Sequence, residues 1–263
     1  MIPDGGSATS VPCVPSITGH RVELLPTVDS TNAEARRRVQ AGHDVDGLVL
    51  LAIDQTAGRG RRGHTWHCVP GRSLITTLVL AQPDLPRLSR VTVLTAVAAC
   101  RALEAAGSAP IAIKWPNDLM HGEGKLGGIL VEQLTSPGGQ ELLLVGIGIN
   151  LALNPGDLPE ELRSLATHAD LSPTEVTRNS VLSPLVSGLD GALAALGSAE
   201  DHAWGQEYSR RSWLNGRRVR LQFEGQAQTV EVASVSTEGD LLLGDGRTLR
   251  GEHVQLLSLN PAD

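Results

Sequence analysis

Aromatic side chains are scarce in this sequence: one phenylalanine, one tyrosine and four tryptophans among 263 residues. Whatever apolar wall the protein builds must therefore be aliphatic. Excess positive charge is missing too, since 22 Lys and Arg stand against 29 Asp and Glu for a net charge of -7. Such a field repels polyanions, which argues against DNA or an anionic membrane surface as the main partner. The three cysteines, Cys13, Cys68 and Cys100, are odd in number and widely spaced. They suit neither a disulfide framework nor a metal site and read as ordinary thiols in a reducing cytoplasm. No apolar run approaches the roughly 18 residues that span a bilayer, and the start MIPDGGSATSVPCVPS has neither a basic opening nor an apolar centre. A cytoplasmic protein is expected, with residues 1–15 as a disordered tail.

What is present alternates between strand and helix patterns. HRVELLPTV reads as a first strand, and Thr31 followed three residues later by Glu34 has capping-box spacing for a helix that stops near Gly42. GLVLLAID and SLITTLVLAQ suit buried strands, LPRLSRVTVLTAVAACRALEAAG a long helix ending at Gly107, and KLGGILVEQL with ELLLVGIGINLAL an antiparallel hairpin. After Leu153 helices are expected, including one whose capping box is SPTE with Pro173 at the first helical position. Short strands joined by glycine-bearing turns follow Leu214. The expected class is α+β, with a main domain over residues 16–214 and a small β domain over residues 215–263.

The stretch DQTAGRGRRGHTW, residues 54–66, packs three glycines and three arginines into a loop after an apolar strand. Glycine lets backbone N–H groups come close to anionic oxygens, and arginine adds charge-assisted bonds. The loop lacks the Lys-Ser/Thr end of a P-loop, and its arginines stand where a dinucleotide site needs small residues. An anion site and a solvated surface loop both remain open on this stretch alone. KWPNDLMHGEGKLGGIL adds Lys114, Asn117, Asp118 and Lys125, with Lys125 flanked by glycines that let a ligand approach its amine. His64 and His67 lack the further ligands that a metal site needs.

DSTN, DQTAGRGRRGHTW, KWPNDL, KLGGILVE and GIGINL occur in the order and spacing of biotin protein ligases, and the chain resembles that family over residues 20–258. Lipoate ligases and octanoyl transferases share the catalytic fold but lack this pairing of GRGRRG with WPND. The resemblance implies a mixed-sheet catalytic domain of the biotin/lipoate ligase type with a C-terminal SH3-like barrel. It also implies an enzyme that makes biotinyl-5′-AMP from biotin and ATP with Mg²⁺, without a bound prosthetic group. Biotin then passes to one lysine of the carboxyl carrier domain of acetyl-CoA carboxylase or a related enzyme. Many members carry an N-terminal helix-turn-helix, and since no such pattern precedes the first strand, a DNA-binding repressor is not expected. Members pair through the central sheet, which leaves a homodimer open.

Site residues follow from the same resemblance. Lys125, Arg61 and Asp118 are the catalytic candidates: Lys125 contacting the biotinyl carbonyl and α-phosphate electrostatically, Arg61 near carboxyl and phosphate, Asp118 positioning Mg²⁺. Biotin contacts are expected from Ser30, Thr31, Asn32, Gln55, Thr56, Gly58, Arg59, Gly60, Arg61, Trp66, Lys125, Gly128 and Leu130. Leu74, Ile75 and Val131 are expected to extend the apolar wall, and the loop, with Gly63, to order over the adenylate. Nucleotide contacts are expected from Arg59, Arg61, Arg62, Trp66, Asn117, Lys125 and Asn150. Thr31 keeps a second reading as helix cap, Trp66 as core residue, and WPND as a plain turn.

Overall fold

The computed structural model describes residues 14–81, 86–251 and 254–258, so the expected tail lies, up to residue 13, outside the described residues. The chain runs β1 (Arg21–Val28), α1 (Thr31–Gln40), β2 (Leu48–Gln55), β3 (Gly58–Arg59), β4 (Thr65–Trp66), β5 (Ser73–Leu80), α2 (Leu88–Ala105), β6 (Ala112–Lys114), β7 (Asp118–His121), β8 (Gly124–Thr135) and β9 (Glu141–Asn150). Three helices follow, α3 (Glu160–Arg163), α4 (Glu175–Ala194) and α5 (Ala199–Arg210). The last strands are β10 (Arg218–Phe223), β11 (Gln226–Val235), β12 (Leu241–Leu243), β13 (Thr248–Leu249) and β14 (Val254–Ser258).

A seven-stranded sheet in the order β1-β2-β5-β9-β8-β7-β6 forms the body. β1 and β2 are parallel and the other pairs antiparallel, so the mixed α+β class is as expected. Helices cover both faces, which is why β2 and β5 read as unbroken apolar runs and not as alternations. Val49, Leu51, Leu74 and Leu78 face α2 and α4 in one core, while Leu48, Leu50, Val79, Leu142 and Leu144 meet Ala35 and Val39 of α1 on the opposite side.

That second face positions the site. Along β9 the residues of this face run Leu142, Leu144, Gly146, Gly148, so the apolar half under α1 gives way to bare backbone. Helix α1 begins where the glycines begin, with its N-terminus at the edge of the exposed backbone. Beyond α5, a five-stranded antiparallel sheet in the order β13-β12-β11-β10-β14 packs its buried Val219, Leu221, Val232 and Leu241 into the core shared with α2. Register shifts at Arg220/Leu221 and Val232/Ser234 interrupt its pairing. Trp115, at the end of β6, ties the two sheets by donating its indole N–H to the Gly239 carbonyl at 2.7 Å. Among the described residues no helix is long and apolar enough to cross a membrane.

Two helix starts differ from expectation. Ser30, not Thr31, caps α1, its hydroxyl accepting from Ala33 N. Glu34 turns away to Arg37 and Arg38, so the apparent box from Thr31 never closes. Helix α4 begins later than SPTE suggests, capped by Thr174 accepting from Thr177 N. The WPND segment also hides β7, which starts at its aspartate.

Candidate active site

A cleft of about 260 Å³ opens over the glycine-floored end of the sheet. From α1 and β2 come Ser30, Thr31, Asn32 and Gln55; from the β3–β4 hairpin come Arg59, Gly60, Arg61, Arg62 and Trp66. Asn117, Asp118, Lys125, Gly128 and Leu130 enter from β7, β8 and the turn before them. Three expected residues stand elsewhere. Thr56 is exposed beside the Val28 carbonyl, Gly58 is buried within β3, and Asn150 donates its amide to the Thr167 carbonyl at 3.0 Å outside the lining. Ile75 and Leu130 contribute to the wall, whereas Leu74 is buried on the other face of β5 and Val131 lines a smaller neighbouring cavity.

One end of the cleft is polar and tightly bonded. Gln55 Oε1 accepts the Thr31 backbone N–H at 2.9 Å, and the Thr77 hydroxyl lies 2.8 Å from Thr31 Oγ1 and 2.6 Å from Asn32 Oδ1. The glycine floor makes this close packing feasible. A Cβ on Gly146 would stand 2.3 Å from Asn32 Oδ1, and one on Gly148 would stand 2.6 Å from Trp66 Cε2. Both distances are far inside van der Waals contact.

The other end is cationic. Among the described residues, Arg59, Arg61, Arg62, Lys114 and Lys125 line the cleft against one carboxylate, Asp118, reversing locally the sign of the whole chain. Lys125 Nζ lies 2.7 Å from Asp118 Oδ1 and 5.7 Å from the Trp66 ring centre. Burial lowers the pKa of Arg61, and the neighbouring Arg62 adds to the shift. Lys114 is lowered chiefly by burial as well, with Lys125 repelling it and Asp118 opposing the shift. Cations held so close without matching carboxylates make a site that gains from an anionic ligand.

The glycine-rich loop is a folded hairpin. β3 and β4 pair Gly58 with Trp66 and Arg59 with Thr65, and Gly60 N donates to the His64 carbonyl at 2.7 Å. Arg62 adopts φ 56°, ψ 30°, a left-handed conformation uncommon for a residue with a side chain. From there its guanidinium donates to the Val254 carbonyl of β14 at 2.8 Å. Arg61 reaches toward Asn117 Oδ1 and the Gly251 carbonyl, each at 3.5 Å. The Trp66 indole N–H is buried and has no hydrogen-bond partner among the described residues.

Sequence reasoning missed several lining residues. Lys114, though noticed, was not assigned to the site. Gly146 and Gly148 carry a signal in the i, i+2 glycines of GIGIN, whereas Val254, Gln255 and Leu256 of β14 carry none. No group of three His, Cys, Asp or Glu side chains among the described residues is arranged to hold a metal. Burial pushes the Cys68 thiol up to about 11 and Cys100 to about 12, so both stay protonated at neutral pH.

Residues 24–151 match the family model described as the biotin/lipoate A/B protein ligase family. A biotin–[acetyl-CoA-carboxylase] ligase of Mycobacterium tuberculosis is 31% identical over 236 residues, a match that covers 87% of this chain and 85% of that relative. The bifunctional ligase/repressor BirA of Bacillus subtilis is 38% identical over 124 residues, covering 46% of this chain and 38% of that protein. In three dimensions the chain is similar to a biotin protein ligase from Aquifex aeolicus in complex with biotin and ATP. The TM-score is 0.73 at 27% identity, with 90% of this chain and 98% of that chain covered.

Proposed function

The chain belongs to the biotin protein ligase family, and from that premise we propose how this cleft performs the family's two steps. The protein is an ATP-dependent ligase that joins biotin to AMP and passes the biotinyl group to a carboxylase carrier lysine. In the first step a biotin carboxylate oxygen attacks the α-phosphorus of ATP, the bond to the β-phosphate oxygen breaks, and pyrophosphate leaves. In the second the lysine amine attacks the acyl carbon, AMP departs, and the amine loses a proton.

The carrying observation is the division of the cleft into a polar pocket with an aliphatic wall and a cationic end. A neutral ureido ring suits the first, where Ser30, Thr31, Asn32 and Gln55 offer paired donors and acceptors beside Ile75 and Leu130. The meeting of a carboxylate with a triphosphate needs the second, because negative charge concentrates as the reactants close. Lys125 is the group we assign to the reacting centre, stabilising charge on the carbonyl and α-phosphate oxygens without forming a bond. Arg59, Arg61, Arg62 and Asn117 serve the phosphates. Magnesium binding commonly uses one or two carboxylates with substrate phosphates. Asp118 fits as such a carboxylate, its second oxygen left over from the Lys125 pair, with the ion carried on ATP. Lys125 and Asp118 thus arrive already paired.

The same reading takes residues 16–214 as the catalytic unit and the five strands after them as an SH3-like barrel. It places the reaction in the cytoplasm, where protonated free thiols are at home, and leaves pairing of two chains through the central sheet as its oligomeric proposal. The test is transfer of labelled biotin to a purified carboxyl carrier domain with ATP and Mg²⁺, run beside lipoate with a lipoyl domain. Labelling from biotin alone is expected. Labelling from lipoate instead overturns the specificity, and adenylate bound without transfer points to a binding protein.

A further inference from the structure

The polar pocket contains a hydrogen-bond chain whose direction is set from outside it. We propose that Glu132, which does not line the cleft, is a positioning residue that fixes the donor and acceptor pattern shown to the biotin ureido ring; this rests on the ligase reading above. Glu132 lies on β8, with its carboxylate held by Arg36 of α1 at 3.0 Å. A carboxylate only accepts. The group of Asn32 that lies 2.8 Å from Glu132 Oε2 must therefore be its NH₂, and the amide oxygen must point the opposite way. The two ends of an amide are alike in shape, so the choice between them at that end rests on Glu132, with the Leu130 carbonyl as a weaker second acceptor at 3.4 Å.

The choice propagates. Asn32 Oδ1 faces Thr77 Oγ1 at 2.6 Å, and an amide oxygen only accepts, so the single Thr77 proton goes there. Thr77 Oγ1 is left as an acceptor, and the Thr31 hydroxyl 2.8 Å away donates to it. The competing acceptor, Gln55 Oε1, is 3.4 Å from Thr31 Oγ1 and already takes the Thr31 backbone N–H. Thr31 consequently turns lone pairs toward the cleft, and Gln55, with its oxygen engaged, turns its NH₂. A ureido ring has N–H donors to meet the first and a carbonyl to meet the second. Thr31, Asn32, Gln55 and Thr77 are 3%, 4%, 9% and 0% exposed, which leaves little room for water to reverse the order. Gly146 is required for the same relay, since only a residue without Cβ leaves room for Asn32 Oδ1.

Glu132→Gln keeps the shape, but Arg36 only donates and so holds the new amide's oxygen, which turns its NH₂ on the NH₂ of Asn32 and opposes the direction of the relay. Calorimetric titration of the purified chain with biotin should show Kd raised roughly tenfold. The adenylation rate at saturating biotin should hold, because the ureido contacts are the same in ground and transition states. Thr77→Val should raise Kd by itself, and Glu132→Gln added to it should raise Kd no further, since the path is already cut. Unchanged Kd in Glu132→Gln, a fall in melting temperature alone, or additive effects in the double variant each overturn the proposal. Absence of biotin binding by the unaltered chain overturns the ligase reading and this proposal with it, whereas binding by that chain confines any failure to Glu132.

Discussion

Gly148→Ala is the most direct challenge to the idea that bare backbone shapes this cleft. The added Cβ would lie 2.6 Å from Trp66 Cε2 and 2.7 Å from Nε1, whereas carbon contacts settle near 3.5–4.0 Å. The indole must retreat by about 1 Å, and the open direction is the cleft itself. Gly148 has no positive φ, so alanine meets no backbone strain there. Overpacking of this kind costs about 1–3 kcal/mol. The short β3–β4 hairpin carries Trp66, so the loss should fall on ligand binding more than on the fold. The expected result is a Kd for biotin raised about 5- to 150-fold, with the melting temperature nearly unchanged. Gly156→Ala is the control, because a Cβ there meets nothing within 4 Å. Unaltered affinity in Gly148→Ala would refute the packing of Trp66 on β9, and a collapsed melting temperature would place the cost in the fold instead.

Lys125→Ala should leave the melting temperature intact, since the side chain is 40% exposed, while adenylation falls by about 10²–10³, the size of a lost charge stabiliser; pyrophosphate release measures it, and an unchanged rate removes Lys125 from the chemistry. Ser30→Ala should cost about 1 kcal/mol of stability through the lost cap besides weakening biotin binding, whereas Thr31→Ala should weaken binding without the lost cap; denaturation and calorimetry separate the two effects. Asp201 accounts for part of the acid sensitivity: burial works to raise its pKa, but Arg90 and the Gly197 N–H outweigh it and hold the carboxyl below its usual value. Stability from a depressed carboxylate is present above the unfolded value of about 3.9 and is lost as pH falls through the folded one. Asp201→Asn should therefore lower the melting temperature at neutral pH and flatten its decline below about pH 4; parallel melting curves for both forms would contradict this.

The elements legible in the sequence were those decided locally. β2 and β5 are unbroken apolar runs because both faces are covered, and α2 carries its periodicity through to Gly107. The cap of α1 was harder, because DSTN offers neighbouring hydroxyls and only the bonds taken by Glu34 decide between them. β7 was hidden because Asp118 is a turn former by type and a strand residue by pairing with Gly128. Within the cleft, the motif residues were readable because each has a side chain suited to a ligand. Thr77 and Glu132 were not, since their relation to Asn32 exists only once β5 sets Thr77 beside Gly146 and β8 sets Leu130 there from the other side. The same holds for β14, whose Val254 carbonyl receives Arg62 from a loop nearly the whole chain away. Side chains that face a ligand leave a pattern in residue type, but the groups that orient those side chains are chosen by strand register. Their chemistry becomes readable only from the fold.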